Sequence, residues 1–85
     1  MADFAAVRSI LKNVVLEGAA IHEKRKLLWL LGAVQDRPSV WSTLLDQWEE
    51  IGEKRDTLYG LEVWGKQIVF LKTDDKPVPV ANWAA

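Results

Sequence analysis

The run Thr57-Leu58-Tyr59-Gly60-Leu61-Glu62-Val63-Trp64-Gly65-Lys66-Gln67-Ile68-Val69-Phe70-Leu71-Lys72 decides the fold class. Apolar and polar residues alternate over Thr57–Trp64 and Gln67–Lys72, and β-branched and aromatic side chains dominate both halves, which is the pattern of two strands. Gly65-Lys66 between them predicts a two-residue loop with glycine first, the preference of a type II′ turn. A lone hairpin is marginal in water, so one face of it must pack on the rest of the chain.

The rest of the chain, working back towards the N-terminus, has helical period. Val40, Trp41, Leu44, Leu45, Trp48 and Ile51 form one stripe, predicting a helix from about Pro38 or Ser39 to Glu53. Pro38 suits the first helical position, and Asp36 and Ser39 are candidate caps. A second helix is predicted over Ala20–Gln35. Its start, His22-Glu23-Lys24-Arg25-Lys26, is polar, whereas Leu27-Leu28-Trp29-Leu30-Leu31 is apolar all round and reads as central. Gly32 marks a close approach or an early end. The first helix, Asp3–Glu17, buries Phe4, Val7, Ile10, Leu11, Val14 and Val15 and turns Leu16 outward, with Asp3 as N-cap and Gly18 as the stop. The fold class is therefore α+β: a three-helix core followed by a C-terminal β-hairpin. The domain spans residues 1–72, and 73–85 form an extended tail in which Pro77 and Pro79 disfavour helix. Trp83 near its end has two readings, a plug folded back on the core or an exposed docking side chain.

Composition bounds the chemistry. Eighty-five residues with five tryptophans and no cysteine suit one small apolar core in a reducing cytoplasm, without disulfides or thiolate metal sites. The N-terminus carries an acid where a signal peptide has positive charge, and Leu27–Leu31 is far short of the ~20 residues of a membrane span. His22 is the only histidine, and Lys26 stands where a second zinc-protease histidine is required. Ser9, Ser39, Ser42 and Thr43 lack a base with an orienting acid, and the pairs Glu49-Glu50 and Asp74-Asp75 read as solvated. The five glycines are scattered, so there is no phosphate loop. No enzyme, metal site or cofactor is expected. What remains is binding.

The order helix, helix, turn, helix, hairpin resembles a winged helix-turn-helix domain. The likeness is carried by Leu27 to Gly52, above all Arg37-Pro38-Ser39-Val40-Trp41-Ser42-Thr43-Leu44-Leu45 running into Trp48-Glu49-Glu50-Ile51-Gly52. It implies a DNA-binding transcriptional regulator. Lys24, Arg25 and Lys26 would contact phosphates, Arg37, Ser39, Ser42 and Thr43 would face base edges and phosphates, and Lys66 would tip the wing. Three features depart from that pattern: a long turn between Gly32 and Pro38, Trp41 in place of a small polar residue, and four acids, Asp46, Glu49, Glu50 and Glu53, late in the third helix.

Those acids support an alternative of another class. A net charge of −1 and abundant tryptophan suit a protein-binding adaptor or inhibitor, working through Asp46, Glu49, Glu50, Glu53 and Trp83. Chains of this size and composition are typical of accessory proteins of mobile elements and bacterial viruses. Double-stranded DNA and a protein partner both stay open as ligands. Homodimerisation is also open, through the first helix or the Pro77–Trp83 tail.

Overall fold

The computed structural model describes residues 2–33, 35–71 and 78–84. The observed order is α1 (Phe4–Glu17), β1 (Ala19–Glu23), α2 (Lys24–Leu30), α3 (Pro38–Glu50), β2 (Tyr59–Val63), β3 (Gln67–Leu71), β4 (Val78–Pro79) and α4 (Val80–Trp83), with a 3₁₀ turn at Arg55–Thr57. All strands pair antiparallel in one sheet of order β1-β3-β2-β4. Helices on one face and the twisted hairpin beyond them make a winged-helix-like α+β arrangement.

α1 starts and stops where its sequence dictates. The Asp3 carboxylate accepts from the Ala6 amide at 3.1 Å, and Gly18 takes the left-handed conformation (φ 85°), its amide donating to Val14. Val7, Leu11 and Val14 are fully buried, each stabilising by about 1.5–3 kcal/mol. Val15, expected inside, is exposed with Leu16.

The main correction concerns the second helix. Residues 19–23 form strand β1, not helix. Ala19–Glu23 pair with Leu71–Gln67, and this ladder satisfies backbone groups that a helix would have satisfied locally. Helix propensity in the following Lys24-Arg25-Lys26 run is only a weak prior beside it. α2 therefore begins at Lys24, whose amide donates to the Lys66 carbonyl at 2.9 Å. The helix ends by Gly32 (φ 78°), where an added Cβ would stand 3.2 Å from that of Ala2. Leu27, Leu28 and Leu31 are buried, but Trp29 is exposed, so α2 is not covered on every side.

In α3 the predicted stripe Val40, Trp41, Leu44, Leu45 and Trp48 is the centre of the core, with Ile51 packed against it. The helix ends at Glu50, short of Glu53, because Gly52 takes φ 93°. Neither Asp36 nor Ser39 caps it; Arg37 is the extended N-cap residue and Pro38 opens the helix.

The hairpin forms at the expected place with a different tip. Val63 pairs with Gln67, leaving three residues, Trp64-Gly65-Lys66, in the loop. Trp64 (φ 53°) and Gly65 (φ 68°) are both left-handed, as in a type I′ turn, and the Lys66 amide donates to the Val63 carbonyl at 3.1 Å. Positive φ at a bulky residue is strained.

The Lys72–Pro77 segment, with Asp74-Asp75 and the 72/73 boundary, lies outside the described residues. Val78–Pro79 are extended and add a fourth strand beside Tyr59 and Gly60; Val80–Trp83 then turn into a short helix that the prolines did not announce. Val80 is fully buried, and the Trp83 ring meets Trp41 edge-on at 5.2 Å and 63°. Among the described residues no helix is long and apolar enough to cross a membrane.

Candidate nucleic-acid interface

Residues 3.6 per turn apart share a face, so Ser39, Thr43, Asp46 and Glu50 line the outer side of α3, with Ser42 and Glu49 beside them. Arg37 precedes this stripe. Its guanidinium donates twice to Gln35 Oε1, at 2.7 and 3.1 Å, which orients it without neutralising it. Arg37, Ser39 and Thr43 line a shallow groove with Leu31, Gly32, Ala33 and Gln35, at the junction of α2 and α3. The Thr43 hydroxyl donates back to the Ser39 carbonyl at 3.0 Å.

Two features that set the sequence apart from the winged-helix pattern have structural answers. Trp41 does not face outward: it is buried, and its indole N–H donates to Asp36 at 2.5 Å. The acids late in α3 are partly neutralised by a cation of the 3₁₀ turn that follows the helix. Arg55 lies 2.9 Å from Asp46 and 2.8 Å from Glu49, and also donates to Ser42 Oγ at 2.9 Å. The two carboxylates, Glu49 foremost, hold its guanidinium above the ordinary pKa. Ser42 is thus occupied, Glu50 stays exposed, and Glu53 falls beyond the helix.

The basic run at the start of α2 divides. Arg25 and Lys26 are exposed. The Lys24 side chain is only 15% exposed and ties α2 to the segment ahead of α3 and to β2, pairing with Asp36 at 2.7 Å and with Glu62 on β2. Burial works against its charged form, yet hydrogen bonds and charge from Asp36 and Glu62 outweigh it and hold the ammonium above its ordinary pKa. Asp36 is held below the usual carboxylate range, first by the hydrogen bond from Lys24, against its own burial, and further by the Trp41 indole. Lys24 serves the fold and is not available to a phosphate.

No protein-family model, curated protein or solved structure matches this chain. What bears on the site is its own geometry.

That geometry brings the wing tip and the start of α2 together. Arg25 and Lys66 line one cleft with Glu23, Val63, Trp64 and Gln67, and Trp64 projects from it 93% exposed. The surface of the second reading is less coherent. Asp46 and Glu49 are engaged by Arg55, and Trp83 lies against Trp41. A different surface, not legible as such in the sequence, is the outer sheet face. Ile21, Val69 and Leu61 stand in one row across β1, β3 and β2, with Ile21 63% and Leu61 50% exposed. Among the described residues no group of three or more His, Cys, Asp or Glu could hold a metal ion.

His22 is half-buried in β1, and burial lowers its pKa from the ordinary 6.5. The unfolded chain therefore takes up a proton near pH 6.5 before the folded chain does. Stability is full above that pH and falls as the pH drops through and below it. A thermal-unfolding midpoint that declines from about pH 7.5 to 5.5, and a flatter profile in His22→Gln, are the expected results.

Proposed function

We propose that this chain is a non-enzymatic, winged-helix-type DNA-binding module with a regulatory role in the cytoplasm. It contacts duplex DNA through the N-terminal half of α3, the start of α2 and the wing tip. One observation carries the reading: the backbone bond from Lys24 to Lys66 seats the wing tip against α2, so that Arg25 and Lys66 share a cleft. Lys26 lies next to it in sequence, and Arg37 stands at the start of α3. Arg25, Lys26, Arg37 and Lys66 are exposed cations suited to phosphate contacts, which position a protein on DNA. Ser39 and Thr43 on the outer face of α3 would reach base edges, and the cysteine-free composition suits a reducing compartment.

The test is fluorescence anisotropy with a labelled mixed-sequence duplex across a salt series. Four phosphate contacts give a slope of log affinity against log salt of roughly −3 to −4. Arg25→Ala with Lys66→Ala is expected to weaken binding about tenfold or more and to flatten the slope by about two. Lys12→Ala, on the solvent side of α1, is expected to change neither. A duplex that fails to bind even at low salt refutes the proposal.

A second reading, docking to a protein, is favoured by the apolar row Ile21–Val69–Leu61. An exposed apolar patch of this kind marks interaction surfaces.

A further inference from the structure

The two edges of the sheet differ. Beyond β2 the chain's own β4 pairs with Tyr59 and Gly60. Beyond β1, among the described residues, no strand pairs with the outward amides and carbonyls of Ala19–Glu23. Natural edge strands are guarded by proline, lysine, bulges or inward charges. β1 reads Ala-Ala-Ile-His-Glu and carries none of these; its one carboxylate is at its end.

We propose that β1 pairs antiparallel with β1 of a second copy of this chain, with Ile21 opposite Ile21 across a twofold axis. An isologous contact must be self-complementary, and this register is. It sets Ala20 opposite His22 and Ala19 opposite Glu23, so no like charges oppose each other. The row Leu61–Val69–Ile21 then continues without a break into Ile21–Val69–Leu61 of the other chain. Leu16, 79% exposed in the last turn of α1 just before the strand, adds apolar area near the same edge. A five-residue strand pair is small beside the roughly 1,200–2,000 Å² of a stable interface, so the association is concentration-dependent.

Because the chain has no cysteine, Ile21→Cys introduces a single thiol on the axis. Directly opposed residues in an antiparallel pair have Cα atoms about 4.5–5.5 Å apart, within disulfide reach. Leu61→Cys, comparably exposed on the same face but two strands away, is the positional control. Under mild oxidation without DNA, Ile21→Cys is expected to crosslink into dimers about tenfold faster than Leu61→Cys, because pairing raises the local thiol concentration. Ile21→Lys, an exposed substitution, is expected to keep the unfolding midpoint and to raise the dimer dissociation constant in sedimentation about tenfold. Equal crosslinking rates, faster crosslinking at Leu61, or unchanged self-association in Ile21→Lys would overturn the proposal. DNA binding is read separately, so either proposal can fail without the other.

Discussion

Trp48→Ala is expected to lose about 3–5 kcal/mol of folding stability, most of what a domain of this size holds. The indole is fully buried at the centre of α3. Its N–H donates to the Lys54 carbonyl at 2.9 Å and to Thr57 Oγ1 at 3.1 Å, tying the helix to the turn that leads into β2. Alanine removes the largest fully buried side chain and this anchor together. Urea denaturation followed by circular dichroism measures the loss. Trp48→Phe keeps much of the volume without the donor and is expected to cost about 1–3 kcal/mol, which separates packing from hydrogen bonding. A loss below about 1 kcal/mol in the alanine variant would mean that this residue is not the centre of the core.

Gly60→Val is expected to cost about 2–4 kcal/mol through a different route. Gly60 lies in β2 with the Trp83 ring lying flush against its backbone. A Cβ there would run into Cη2 of that ring and stand 2.8 Å from Cζ3. Valine must therefore expel Trp83, breaking its contact with Trp41 and pulling α4 away from Leu58, whose carbonyl accepts from the Val80 amide at 3.0 Å. Exposing the fully buried Val80 forfeits about 1.5–3 kcal/mol, and the aromatic pair about 0.5–1.5 kcal/mol. A double-mutant cycle supplies the check. If Gly60→Val acts by expelling the ring, Trp83→Ala costs almost nothing further in that background. Additive losses would show instead that the valine strains β2 itself.

Sequence pattern carried the elements whose signal is local. Asp3 and Gly18 bracket α1, the stripe from Val40 to Trp48 places α3 on the core, and alternation places β2 and β3. β1 escaped because Ala-Ala-Ile-His-Glu has little strand preference of its own and abuts a helix-favouring basic run. Its alternating exposure becomes a strand only once β3 is beside it, a case of tertiary pairing overriding propensity. The same non-locality hid the side-chain partners of the candidate site. Lys24 looked like a phosphate ligand because Asp36 and Glu62, which claim it, are remote in sequence. Arg55, in the 3₁₀ turn, shields Asp46 and Glu49 from nine and six residues away. Gln47, a polar residue of α3, is buried because its side chain accepts from Arg8 of α1 at 2.7 Å. In each case the deciding partner lies on another element, where periodicity within one segment gives no information.

The place of β1 in the chain has a consequence for biosynthesis. It precedes α2 in sequence, yet among the described residues its only strand partner is β3, which follows the three helices and the first strand of the hairpin. A nascent chain extruded as far as α3 has helices to collapse and no sheet to close. During that interval Ile21 and the strand around it are an unpaired, apolar segment held beside an emerging polypeptide. Closure of that ladder waits until β3 has emerged, so the longest-range strand pairing of the sheet forms late, with β4 and α4 still to follow it.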